Sequence, residues 1–161
     1  MMRCLFGLIL LISLASCEGN ALLNDFTSID GGEWKYGEWV TNEVEIEDTS
    51  TAFQLSVNVR HDVEYEWANL FCILHIQHPD GKKFDQRINL ILAEPDGQWK
   101  GKGFGSIKEA RIPVALVKFP KKGKYSFQLE QNMRLNPLKG IEDIGCYLAK
   151  EEMTNDSTSV E

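Results

Sequence analysis

The chain has 161 residues, 43% of them apolar, 10% aromatic and 25% charged, enough for one domain with its own core but not comfortably for two. Its 24 acidic residues against 17 basic ones leave a formal charge of −7. That balance argues against nucleic acid as a partner, because phosphate neutralisation needs Lys and Arg in excess, and against electrostatic adhesion to anionic lipid.

Residues 1–16 differ from the rest. Arg3 is followed by the apolar run Leu5–Ile12 and Leu14, then by small residues and Cys17. The run is too short to cross a bilayer as a helix, which needs about 20 residues, and reads as a secretory signal. Leu14-Ala15-Ser16-Cys17 resembles the bacterial lipobox, so the mature chain is expected to begin at Cys17 with that residue acylated. Two or three acyl chains hold a protein on a membrane essentially permanently. Removing the leader removes Arg3 and no acid, leaving 16 basic against 24 acidic residues, a balance of −8. Residues 17–25 read as a lipidated tether reaching about 26 Å at most beyond the cysteine. The folded domain is expected over 26–150, and Glu151–Glu161 reads as a solvated acidic tail.

Between tether and tail the hydrophobic period is two. Phe53, Leu55, Val57 and Val59 alternate with polar residues, as do Leu70, Cys72, Leu74 and Ile76 with their neighbours, and Tyr125, Phe127 and Leu129 with theirs. Each pattern predicts a half-buried strand. The best helical candidate is Lys108–Leu116, interrupted by Pro113. Pro79-Asp80-Gly81, Pro95-Asp96-Gly97 and Lys121-Lys122-Gly123 supply turns. Seven to eight short strands at this spacing predict an all-β fold, an antiparallel β-sandwich of jelly-roll type.

Searches for chemistry end without a site. Gly101-Lys102-Gly103-Phe104-Gly105 lacks the strand-then-helix setting of a phosphate loop, and its glycines read as a bulge or close packing. His75 and His78 fall on opposite faces of one strand and are not expected to share a metal. Glu43, Glu45, Glu47 and Asp48 read as an exposed solubilising face, and no nucleophile–base grouping has a local signature. No enzyme activity, metal, cofactor or small-molecule substrate is therefore expected. Cys72 and Cys146 are the thiols that reach the domain. An oxidising envelope permits a disulfide between them, and their apolar settings equally suit free thiols packed as small hydrophobes. Trp34, Tyr36, Trp39, Tyr65, Trp67 and Trp99 lie near predicted strand ends, where they either cover the open ends of the core or anchor a partner.

Several pieces of the sequence, in order behind the lipobox, carry a family resemblance: Leu55–Arg60 followed by Tyr65 and Asn69-Leu70; Gln98–Gly103; Phe119 and Gly123–Phe127; Gln131–Arg134; and Leu138–Gly145. From about Phe26 to Leu148 the chain resembles the gliding-motility lipoprotein family GldH. The resemblance implies an envelope lipoprotein, with no known enzymatic activity or cofactor, acting beside other gliding-motility lipoproteins and the type IX secretion apparatus. The expected function is thus non-catalytic support of that complex, with the membrane reached through N-terminal acyl chains. The alternative is a glycan-binding lipoprotein of a polysaccharide-uptake system that uses its loop tryptophans. Tyr65, Asn69 and Trp99 are the foremost candidates for a partner surface, joined by Arg60 and Arg134, which otherwise cap or pair at strand ends. Glu18 is the only charge beside Cys17, so no acid-rich export tag is apparent and an outer-membrane, periplasm-facing location is expected. Asp156-Ser157-Thr158 resembles a bacterial O-glycosylation sequon, making Ser157 a candidate modification site.

Overall fold

The computed structural model describes residues 21–151. The leader, Cys17 and the tail bearing Ser157 lie outside the described residues. The strands are β1 (Ala21–Asn24), β2 (Thr27–Ser28), β3 (Glu33–Trp34), β4 (Val40–Ile46), β5 (Phe53–Asp62), β6 (Asn69–Gln77), β7 (Lys83–Ile91), β8 (Ile107–Val117), β9 (Gly123–Gln131), β10 (Leu138–Lys139) and β11 (Ile141–Lys150). One sheet has the order β1-β11-β5-β8, with β2 continuing along β11, and the other β4-β9-β6-β7; β3 and β10 form a separate small pair. All pairings are antiparallel. With β1 and β2 taken as one broken strand, the chain changes sheet at every long connection except the β6–β7 hairpin. That is jelly-roll connectivity, and the antiparallel sandwich predicted from sequence is the fold that forms.

The alternating pattern sets the packing. In β4, Val40, Val44 and Ile46 point inward and Thr41, Glu43 and Glu45 outward. Phe53, Leu55, Val57 and Val59 of β5 meet Leu70, Cys72 and Leu74 of β6 and Tyr125, Phe127 and Leu129 of β9 in one core. Cys72 and Cys146 are free and fully buried within it. Burial pushes both thiols up, Cys146 to about 12, so neither ionises at neutral pH.

Two elements differ from the sequence reading. Lys108–Leu116 lies within strand β8, not a helix. Ala110 and Ile112 face inward, and Pro113 is tolerated because β8 is an edge strand with a register shift beside it. The domain also begins earlier than residue 26. Ala21–Asn24, read as tether, pairs with Tyr147–Ala149 of β11, and the Asp25 N–H donates to the Cys146 carbonyl at 3.1 Å.

This N-terminal segment also explains why the outer face of β5 is covered. Gly145 lies opposite Asn58, and a Cβ there would run into the Asp25 carbonyl. Over that notch the Asn58 amide donates to Asn24 Oδ1 at 3.0 Å and to the Asp25 carbonyl at 3.3 Å. Where β1 gives way to β2, the Cys146 N–H is taken up by Asn42 Oδ1 at 2.9 Å, from the opposite sheet.

The registers define two ends. The near end holds Ala21, Lys150 and the turns 47–52, 78–82 and 118–122; the far end holds loops 35–39, 62–68, 92–106 and 132–137.

Candidate interaction surface

All four tryptophans belong to far-end segments, and the fold gives them different roles. Trp34 is fully buried, its indole N–H donating to the Glu38 carbonyl at 2.7 Å. Trp99 packs on the core, with ring centroids 4.5 Å from His61 and 6.5 Å from Tyr65. Trp39 stacks on His75 at 4.5 Å and nearly parallel, while Trp67 stands 41% exposed. His78 instead packs at the near end against Tyr125, 5.1 Å between rings.

Two members of the expected partner surface sit deeper in the fold than the rest. Tyr65 is buried, its hydroxyl donating to the Asn69 carbonyl at 3.1 Å, and burial pushes its phenol far up. Trp99 is half-buried over His61. Both are drawn inward because the ends of β5 and β6 leave the core open there, and large rings close it. Arg60 is half-buried on the outer face of the β5 sheet, outside the far-end groove. It pairs with Glu109 at 2.8 Å and Asp143 at 3.7 Å and lies 3.9 Å over the Phe26 ring. The carboxylates hold its guanidinium pKa above the ordinary value, Glu109 foremost.

Asn69 and Arg134 do come together. With Trp67, Phe71, Arg87 and Met133 they surround a groove of about 380 Å³. Its floor is apolar, and its two guanidiniums make no ion pair among the described residues. Arg87 lies 4.4 Å over Phe71, and Asn69 is oriented by donating to Asn89 Oδ1 at 2.6 Å. A second hollow of about 510 Å³ shares Trp67 and Leu135 as a common wall and carries Asp62, Glu64, Glu66 and Glu142. The surface is therefore zoned: a cationic apolar lobe and an acidic lobe, divided by two large exposed apolar side chains.

The wall of the groove is held from behind. The Asn132 N–H donates to the Phe71 carbonyl at 2.8 Å, and the Met133 N–H to Gln131 Oε1 at 2.9 Å. Gln131 Nε2 donates to the Leu135 carbonyl at 2.9 Å, and the Tyr36 hydroxyl to the Met133 carbonyl at 2.6 Å. Arg134 and Leu135 are thus carried by a loop whose backbone is already ordered, which lowers the entropic cost of engaging a partner. Sequence reasoning weighed Trp67 with the other aromatics but placed Tyr65, Asn69 and Trp99 ahead of it. Its signal was present in the acidic company of Glu64 and Glu66, a neighbourhood ill suited to burial.

The glycine-rich segment does the work expected of it. A Cβ on Gly101 or Gly103 would strike the backbone of Glu109 or Ile107, and Lys102 exchanges hydrogen bonds with Glu109 at 2.9 and 2.7 Å. The segment thus packs backbone to backbone against β8, and Phe104 beyond it is 99% exposed.

Comparison with known proteins matches this architecture to one family. Residues 21–148 fit the family described as GldH lipoprotein. The chain is 31% identical over 150 residues to a gliding motility lipoprotein GldH homolog of Christiangramia forsetii, covering 88% of this chain and 91% of that protein. It is 31% identical over 156 residues to the gliding motility lipoprotein GldH of Flavobacterium johnsoniae, covering 91% and 96% respectively. With the match spanning the whole sandwich, the chain belongs to the GldH lipoprotein family.

Proposed function

We propose that the protein is a non-catalytic, acyl-anchored envelope lipoprotein that supports a gliding-motility and type IX secretion complex by binding another component of it through the far-end groove. Cys17 carries the acyl chains, the outer membrane holds them, and the domain faces the periplasm. The observation that carries the partner-binding part is the grouping of exposed Trp67 and Leu135 with Arg87 and Arg134, which make no ion pair among the described residues, around an ordered apolar floor. Aromatic and arginine anchors set in a preformed hollow are where protein interfaces concentrate their binding energy.

The experiment is a pull-down of the detergent-solubilised, full-length protein from its native cells, comparing wild type with Trp67→Ala and Arg134→Ala. Wild type is expected to recover other envelope lipoproteins or secretion components, and either variant to lose most of that recovery at unchanged protein level. Equal recovery by all three would overturn the assignment of the groove. The rival glycan-binding reading now rests on Trp67 beside Asn69 and Asn132, with Trp99 packed inward. Retardation in glycan-containing affinity gels that Trp67→Ala abolishes would favour it.

A further inference from the structure

The four outer edges of the sandwich are unequally protected. β1 and β2 are short and broken at Asp25–Phe26. β8 carries Pro113 and a register shift, and the Lys102 segment bonds to it at Glu109. β4 paired with itself over its full length would set Glu43 against Glu43. These are devices that keep sheet edges from self-association. β7 has a different character. Residues 83–91 run without proline or register shift, and their only backbone partner among the described residues is β6.

The side chains of β7 are complementary to themselves in one register. Full overlap puts Arg87 opposite Arg87. A shift of two residues toward the near end sets Asp85 opposite Arg87 twice, Phe84 opposite Ile88 twice, and Gln86 opposite Gln86 on the two-fold axis. The reverse shift gives Arg87 only Asn89. Opposite charges directly across a ladder stabilise it, and like charges destabilise it. Asp85 uses Oδ1 toward His75 Nδ1 at 2.7 Å, which leaves Oδ2 for an incoming guanidinium.

The inner face agrees. Phe84 shares the core-facing side with Ile88 and Leu90, which are buried, yet is 52% exposed. A cleft of about 190 Å³ runs between the β7 edge and Pro113–Val114 of β8. The sandwich is less closed on this side, and a further strand would cover it.

We propose that two copies of the chain pair antiparallel through β7, with Asp85 of each opposite Arg87 of the other, joining their outer sheets into one continuous eight-stranded sheet. The interface is isologous, as two-fold symmetry requires. The two-fold axis is normal to the sheet, so the layer that contains Ala21 lies on the same side in both copies. The near ends of the two copies point in opposite directions along the joined sheet, so a single membrane can meet both Ala21 segments only across the face of that shared layer. The dimer shares Arg87 with the far-end groove, so the two readings are told apart by Trp67 and Arg134, which the β7 pairing does not use.

Sedimentation of the full-length, detergent-solubilised protein tests this without any partner. Wild type is expected to dimerise. Asp85→Arg and Arg87→Asp singly are expected to be monomers with unchanged circular dichroism, because each sets like charges opposite one another. The combined swap is expected to dimerise again. Gln86→Cys in an otherwise unaltered chain is expected to give a disulfide-linked dimer on mild oxidation, and Leu22→Cys is not. A monomeric wild type, a dimer indifferent to both single changes, or failure of Gln86→Cys to cross-link would overturn the proposal. Because the readout is self-association, its failure leaves the pull-down result on Trp67 and Arg134 unaffected.

Discussion

Trp67 and Trp99 stand at the same end of the sandwich, and the difference between them is one of neighbours. Trp99 is wedged against His61 and Tyr65, so Trp99→Ala removes a ring from a packed cluster and is expected to cost about 3 kcal/mol or somewhat less, as for large aromatic truncations. Trp67→Ala removes an exposed ring and is expected to shift stability by no more than about 0.5 kcal/mol. Urea denaturation of the two variants checks both figures. Their local sequences, Glu66-Trp67-Ala68 and Gln98-Trp99-Lys100, do not announce this. The rings that bury Trp99 arrive from the end of β5 and the loop after it, which adjacency along the chain cannot reveal. His61 belongs to the same cluster. It is fully buried, its Nδ1–H donates to the Asp62 carbonyl at 2.8 Å, and burial holds its pKa below the ordinary 6.5. The unfolded chain therefore takes up a proton at this site at higher pH than the folded one does. The resulting stability is fully present above about pH 6.5 and is lost as pH falls toward the folded-state pKa. Denaturation midpoints of wild type are expected to drop between about pH 7.5 and 5. In His61→Phe that part of the drop should vanish; an unchanged slope would remove His61 from the account.

At the scale of elements, alternation made most of the sandwich readable. The inward faces of β5, β6 and β9 appear in the sequence as runs of period two, and the same residues form the core. β8 was obscured because Lys108-Glu109-Ala110-Arg111 is rich in helix formers, and only pairing along the whole of β5 makes it a strand. β1 was obscured because four residues are too few to show a period, and its partner β11 lies more than 120 residues away in the chain. The glycine that makes room for this N-terminal segment is the place to test it. Gly145 has no side chain where Asn58 reaches across to the Asp25 carbonyl. Gly145→Ala is expected to force the segment off β11 and cost about 1–3 kcal/mol, the usual range for overpacking. Hydrogen exchange should then rise for the Asp25 and Ile29 amides, which donate to Cys146 and Glu142, while the β6–β9 ladder stays protected. Uniform loss of protection across both sheets would mean that the segment does not open as a unit.

For the whole molecule, the early start of β1 tightens its relation to the membrane. If the anchor is Cys17, four peptide steps separate it from Ala21, and four residues reach about 14 Å at full extension. Ala21 is then held close to the headgroup boundary. The length of β5, ten residues at about 3.3 Å each, sets the distance between the near end and the far-end groove along the strands. The surface charge does not supply the adhesion, since acids outnumber bases, so the acyl chains must. Cys17→Ser is therefore expected to move the protein from the membrane pellet to the soluble fraction and to abolish incorporation of labelled fatty acid, leaving the circular dichroism of the sandwich unchanged. Retention in the pellet after high-salt washing, without label, would show that something other than acyl chains holds it there. A linker of about 12 Gly and Ser residues inserted after Gly19 separates anchoring from position. Such a chain has an average span of about 20 Å, more than the reach of the four residues it lengthens. If the partner reads the groove at a fixed height, membrane retention should persist while recovery of the partner falls. Full recovery would mean that Cys17 serves only to concentrate the protein at the bilayer, and that orientation comes from the partner itself.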